Sequence, residues 1–293
     1  MQIKINDTPL DFTLEREETL GEVVRELKTW LHGSEFVLYS VKHRDRDLLN
    51  SPPEQWEGTA HSEVDELEVT VRQTRDLREE NLDTVLEYLD LLAAAVDQGN
   101  DGKLADLSEG FAAMAESIAG LAHGETPLQG LSALVFQPPA QPLAAWNPER
   151  KVQARTFIDR LAGIVGSRLE ELRDPRRAVR ELADALASCR EEAEGVPILL
   201  QTGRDREAME TIVRFSEVSQ RLARVLHSLA EREGRLPSVG TRSLAEYYNE
   251  LNGFLEELVT AFTAQDSVLI GDLMEYEVAP RLEELRASLE AML

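Results

Sequence analysis

Met1-Gln2-Ile3-Lys4-Ile5-Asn6, then Asp7-Thr8-Pro9, then Asp11-Phe12-Thr13-Leu14-Glu15, is the stretch on which the reading of this chain turns. Ile3 and Ile5, then Phe12 and Leu14, alternate with polar residues on either side of a proline-containing turn. That pattern predicts a hairpin with one buried face. Outward from it, Thr19 is placed to cap a helix whose apolar side chains, Leu20, Val23, Val24, Leu27 and Leu31, recur at helical spacing. His32-Gly33 ends that helix. Phe36 to Val41 is short and β-rich, Leu48-Leu49 offers a brief strand, Ser51-Pro52-Pro53 is a loop, and Leu67, Val69 and Val71 alternate in a closing strand.

The opening Met1-Gln2-Ile3 and the spacing of two strands, a helix and further strands over residues 1–72 resemble the ubiquitin-like β-grasp fold. The resemblance covers about a quarter of the chain and implies a small module that binds proteins. No Gly-Gly terminus follows Val71, so use as a conjugated modifier is not implied.

Beyond residue 72 the period becomes helical. Leu82, Val85, Leu86, Leu89, Leu92 and Val96 form one stripe, closed by Gln98-Gly99-Asn100-Asp101-Gly102; Leu104, Leu107, Phe111, Met114, Ile118 and Leu121 form the next, ending near Gly124. Gln137-Pro138-Pro139-Ala140-Gln141-Pro142 reads as an internal linker. A helix is predicted from Pro148 to Arg173, another from Asp174-Pro175 to about Glu194, a break at Gly195-Val196-Pro197, and further helices near 205–233, 241–264 and 267–291. The expected class is therefore α+β, with a β-grasp domain at 1–72, a helical hairpin region at 76–136 and a bundle of helix-turn-helix units at 148–293.

An echo runs through the bundle. Glu217-Val218-Ser219-Gln220-Arg221-Leu222 returns sixty residues later as Glu277-Val278-Ala279-Pro280-Arg281-Leu282, with Met209 matching Leu269 and Leu229 matching Leu289. Duplication of a helical unit is one explanation; similarity between amphipathic helices is the other. Leu199-Leu200-Gln201-Thr202-Gly203 with Ala208-Met209-Glu210-Thr211-Ile212, and the run from Asp266 to Pro280, resemble uncharacterised bacterial helical proteins, among them motility-associated and spirochaete- or clostridium-type sequences. That resemblance implies no activity and no site residues.

The net charge of −24 divides into −8 over residues 1–72 and −16 over the rest. Both parts repel phosphate backbones and anionic lipid surfaces, so neither nucleic acid nor a membrane is the expected partner. Cys189 is the single cysteine, which excludes an intramolecular disulfide and a thiolate metal cage. No basic segment followed by an apolar run opens the chain, and no run approaches about 18 apolar residues. A cytoplasmic location is the expectation.

Candidate chemistry is sparse. The Gly99-Asn100-Asp101-Gly102 loop does not align as a calcium loop: Ser108 falls where the bidentate Glu belongs, and Gly99 lacks the third-position oxygen. It reads as a helix–helix turn. Asp272, Glu275 and Glu277 are a local carboxylate cluster, but no histidine stands three residues after a Glu, as a di-iron bundle requires. No phosphate loop, nucleophile elbow or zinc pattern is present, and Cys189 shares a face with Leu182, Leu186 and Ala193 as a small core residue would. The reading is a non-enzymatic adaptor or scaffold for protein partners, associated with motility or secretion, without catalytic residues, metal or cofactor, and with room for a homo-oligomer. The alternative is a carboxylate-based metal-binding bundle or enzyme.

Two stretches stand out as partner sites. Residues 150–180 hold nine Lys and Arg, among them Arg173, Arg176 and Arg177, against four acids. They would either bind an acidic partner or neutralise neighbouring acidic helices, the second being favoured. Glu275, Tyr276 and Glu277 form the other. Leu269, Leu273 and Tyr276 on the last helix and Leu255, Leu258 and Phe262 on the one before predict an antiparallel pair, with Gly271 permitting close approach. Three consecutive residues cannot all be buried on a helix, so an aromatic-plus-acid patch should face solvent, suited to a basic amphipathic partner.

Overall fold

A computed structural model describes residues 1–10, 17–119, 127–136, 142–234 and 238–293. The expected strand residues Phe12 and Leu14, the helix end at Leu121 to Gly124, and residues 137–141 of the proline-rich linker lie outside these. The chain packs as two compact units, Met1–Val165 and Gly166–Leu293.

The first unit begins with β1 (Gln2–Ile5) and β2 (Thr8–Leu10), joined through Asn6 and Asp7 at φ 47° and 66°. Two consecutive left-handed residues make the tight hairpin turn that matches strand twist. The turn is thus one step earlier than Asp7-Thr8-Pro9. Pro9 pairs with Lys4 inside β2, tolerated because β2 is an edge strand and needs no N–H there. α1 (Leu20–Leu31) carries a capping box in which Thr19 and Glu22 each satisfy the other's backbone N–H. β3 (Phe36–His43), β4 (Arg46–Asp47) and β5 (Glu66–Gln73) complete a mixed sheet in the order β2-β1-β5-β3-β4. β1 and β5 run parallel at its centre, and the other pairings are antiparallel. Strand four falls at 46–47, and Leu48, expected in it, is instead a buried core residue. One face of the sheet closes over α1, with Ile3, Val23, Leu27, Val41, Trp56, Leu67 and Val69 in a single apolar cluster.

β5 passes directly into α2 (Thr74–Gln98), which Gly99 ends at φ 65°. Asn100 Oδ1 then accepts from Lys103 N at 3.0 Å at the start of α3 (Asp101–Ala119), and Asp101 Oδ1 accepts from Leu143 N at 2.6 Å. The oxygens of the one calcium-like loop are therefore spent on backbone N–H groups. α4 (Pro127–Leu131) runs into a π turn, Ser132–Phe136, and α5 (Pro148–Arg173) has the bounds its proline and Asp174-Pro175 predict.

In the second unit, α6 (Pro175–Gln201) does not stop at Gly195-Val196-Pro197. Proline inside a helix removes one hydrogen bond, but Ala193 and Val196 are buried and Leu199 and Leu200 pack on the same core, so burial carries the helix through. α7 (Asp205–Glu233) follows, then a hairpin of β6 (Ser238–Val239) and β7 (Arg242–Ser243) that no sequence pattern announced. α8 (Leu244–Thr263) starts with a Ser243–Glu246 capping box. α9 (Ser267–Asp272), a π turn (Leu273–Val278) and α10 (Ala279–Glu290) then run on without a break. A Cβ on Gly271 would lie 3.3 Å from that of Pro197, so the close approach this glycine allows is to α6 rather than to α8. The expected stripe Leu269-Leu273-Tyr276 also divides: Leu273 is buried, while Leu269 and Tyr276 are exposed, with Ile270 and Met274 taking the inward positions beside Leu273.

No helix among the described residues is long and apolar enough to cross a membrane.

Two outcomes follow from this packing. Leu273 and Leu258 are 5% and 1% exposed, so Leu273→Ala should lower the unfolding free energy by about 2–5 kcal/mol, read by urea titration of the full chain. Asp47 carries a pH signature. Partial burial raises its pKa, but hydrogen bonds from Ser40, the Leu49 N–H, the Val41 backbone and Asn50 outweigh this and hold its carboxyl below the usual range. A depressed folded pKa stabilises above the unfolded value and loses that contribution as pH falls through the folded one. Asp47→Asn should therefore cost about 1 kcal/mol or less near pH 7, after solvent screening, and almost nothing in strong acid. Amide exchange at Leu49 across that range checks it.

Candidate functional site

Three arrangements of side chains bear on function. The first is the basic stretch. Arg155 pairs with Asp97 at 3.2 Å and with Asp159. Arg150 lies 4.3 Å over the Trp146 ring and donates to Leu134 O. Arg176 donates to Glu233 at 2.6 and 2.9 Å, and Arg177 pairs with Glu170 and, at 3.5 Å, with Glu181. Arg173 is itself engaged, and its carbonyl accepts from Arg232 at 2.8 Å. Arg155, Arg176 and Arg177 thus pair with acids of neighbouring helices. Exposed pairs of this kind are worth about 0–1 kcal/mol each, so they supply register more than stability.

The second is a buried carboxylate that no local pattern announced. Glu171, 5% exposed, is the only buried charged side chain among the described residues. Arg221 on α7 donates to it at 2.8 Å and also to Glu181 at 2.8 Å; Arg168 lies 3.2 Å away and Arg224 3.9 Å. The arginines respond in opposite directions. Burial lowers the Arg168 pKa, with Glu171 opposing and Arg221 adding to the fall. Burial also acts downward on Arg221, but its bonds to Glu181 and Glu171 win and raise it. The sequence does contain the i,i+3 pair Arg168/Glu171; that Arg221 meets it from fifty residues away is information only the fold holds.

The third is the predicted patch, which falls on the π turn. Tyr276 is 63% exposed, and Glu275 and Glu277 are half-buried. Glu277 is engaged by Arg281 at 2.7 Å. Glu275, through its charge and a hydrogen bond, pushes the Tyr276 phenol above its usual range, with some loss of water and Asp272 adding to the shift. No described cation pairs with Asp272 or Glu275. The structure thus brings Asp272, Glu275 and Tyr276 together and turns Glu277 to an internal partner. Among the described residues no three His, Cys, Asp or Glu side chains converge as a metal site would need. Cys189 is buried, and burial raises its thiol pKa.

Residues 1–73 match the family described as the TP0873 N-terminal domain, and residues 177–288 match a domain of unknown function, DUF8042. An uncharacterized protein of Treponema pallidum (strain Nichols) is 27% identical over 114 residues, 38% of this chain and 56% of the relative. The chain therefore spans little more than half of that relative's length. No solved structure matches.

The Glu171 cluster generates a sharp expectation. Arg221→Leu should destabilise the second unit by about 3 kcal/mol, because it strips a buried carboxylate of its nearest donor. Glu171→Leu combined with Arg221→Leu should recover most of that loss. Denaturation midpoints of the single and double variants decide it; equal losses would mean that the pair itself, rather than the abandoned charge, sets the cost.

Proposed function

We propose that this chain is a non-enzymatic adaptor or scaffold that binds other proteins, built from a β-grasp module and an acidic helical body. The observation that carries the reading is the exposure of large apolar side chains on the acidic second unit: Met209, Val213, Val268, Leu269 and Tyr276 all face solvent. Val268, Leu269 and Tyr276 share one helical run, and exposed apolar groups gathered in one place are the mark of a docking face. The β-grasp part is supported by a parallel central pair, flanking antiparallel strands, and one helix over one face of the sheet. The β-grasp comparison, the adaptor role, the association with motility or secretion, and a cytoplasmic setting belong together as one proposal.

Nucleic acid and anionic lipid fit this surface poorly, since residues 241–293 hold eleven acids and only three arginines. Of the carboxylates that a metal-binding reading needs, Glu277 is paired with Arg281.

Two measurements test the proposal. A photo-crosslinking amino acid at position 269 or 276 of the full chain, expressed in its native host, should give a discrete protein adduct. Metal analysis of protein purified without chelator should give no stoichiometric iron or manganese. A chain that crosslinks to nothing at any exposed apolar position, or one that carries a full equivalent of metal, would sink the adaptor reading.

A further inference from the structure

The echo between α7 and the last helix acquires a meaning once the buried positions are compared. Ser219, Leu222, Val225 and Leu229 of α7 are buried, and so are Ala279, Leu282, Leu285 and Leu289, each sixty residues on. Upstream the step is fifty-nine: Thr211 and Phe215 correspond to Ile270 and Met274. One extra residue therefore lies between Met274 and Ala279. It is taken up where the Ala279 N–H bonds to Met274 O, five residues back instead of four. A π turn holds one residue more than an α turn, and such turns recur at functional sites.

The insertion changes what faces solvent. Three residues separate Phe215 from Ser219, and the exposed one is Glu217; four separate Met274 from Ala279, and the exposed one is Tyr276. Two features hold the wide turn. Pro280 has no N–H, and in a regular helix its ring would strike the Tyr276 carbonyl, so the wider turn suits it. Arg281 Nη1 donates to the Glu277 carbonyl at 2.9 Å and to its carboxylate at 2.7 Å, while the guanidinium lies 4.1 Å over the Phe254 ring.

We propose that this π turn is the recognition element of the interaction function argued above, on which the inference rests. It presents Tyr276 as a knob within a stripe of exposed residues, Val268, Leu269, Asp272, Tyr276 and Pro280, about 18 Å long. The occupant is a Lys/Arg-rich amphipathic helix of a partner protein. Length and helical spacing suit a helix laid alongside. Charge sets its sign: the three arginines of residues 241–293 are all paired internally, with Glu250 and Glu284, with Glu277, and with Glu283 and Glu290. No described cation pairs with Asp272, Glu275, Glu256 or Glu257. A second copy of this chain is disfavoured as occupant because the stripe would meet its own charge.

The test titrates synthetic peptides of about 18 residues, long enough to cover the stripe as a helix, into the full-length protein. One has leucines on a single helical face and lysines elsewhere, the second is a scramble of the same composition, and the third has glutamates for the lysines. The patterned peptide should bind, the scramble about tenfold more weakly, and the acidic one not measurably. Tyr276→Ala should weaken the patterned peptide about tenfold with an unchanged melting temperature. Deletion of Glu275, which returns the turn to α spacing, should do the same in a chain that stays helical; if that variant fails to fold, Tyr276→Ala alone decides. Asp272→Asn with Glu275→Gln should flatten the salt dependence. Equal binding of the scramble, or indifference to Tyr276→Ala, overturns the proposal by reducing the attraction to bulk charge. A native partner crosslinked elsewhere on the chain, with Tyr276→Ala silent, also overturns it while leaving the adaptor reading intact. A chain without any protein partner overturns the adaptor reading itself.

Discussion

The second unit hangs on the approach of Gly271 to Pro197. α6 is the long helix against which both α7 and the α9–α10 run pack, so where those helices stop along it decides every other contact. A Cβ at residue 271 would sit at the edge of tolerance against the proline ring. With glycine there, the backbones close, and Ile270, Leu273, Met274 and Val278 reach the cluster formed by Leu186, Cys189, Ala193 and Val196. Pro197 contributes a rigid apolar ring where a flexible side chain would have left the register loose. From that anchor the last helix runs antiparallel to α6, bringing Glu283 to within 3.6 Å of Arg190 and Arg281 over Phe254.

Ion pairs then lock the register that packing sets. Along α6 and α7 they form a ladder, Arg176–Glu233, Glu181–Arg221 and Glu192–Arg214, whose members step along both helices in opposite directions. Each rung is weak, but a one-residue slip would carry all three out of register. Among the described residues Glu171 is the one rung taken out of water, and there the energetics reverse. A buried carboxylate is tolerable only while its arginines stay in place, so it favours one arrangement of the α5 end against α7 over near alternatives. The same economy explains the surface. In a chain with 55 acids and 31 basic residues, cations held on internal rungs leave the outward field more negative still.

Much of this was legible where the controlling interaction is local. Thr19 announces its cap, Gly99 its helix stop, and Pro148 and Asp174-Pro175 the ends of α5, because caps and proline effects act within four residues. The alternation of Leu67, Val69 and Val71 gave the central strand. What escaped depends on distant partners. Pro197 reads as a break until one knows that Val196 is buried and Gly271 receives the ring. Arg176, one of nine cations within residues 150–180, meets Glu233 from fifty-seven residues away. Glu171 looks like any surface acid of a helix. The Asn6-Asp7 turn was misplaced by one step because Pro9, a turn former by propensity, is also at home on an edge strand.

The π turn shows why a local pattern can be right in its parts and wrong in its geometry. Leu269, Leu273 and Tyr276 do recur at helical spacing, and in an unbroken α-helix they would share one buried face. One inserted residue rotates everything upstream relative to α10 by about a hundred degrees. The core is kept because Ile270 and Met274 take over the inward positions, which costs little where both are apolar. The outward face is what changes. An insertion in a buried helix is usually expelled by packing, since it must open a wider turn and loosen a carbonyl. Here Pro280 removes the competing hydrogen bond and Arg281 supplies a substitute donor, so the wide turn is held open by the same residues that follow it. A helix in this state has lost little core and gained an aromatic ring in solvent beside Asp272 and Glu275, which no described cation pairs.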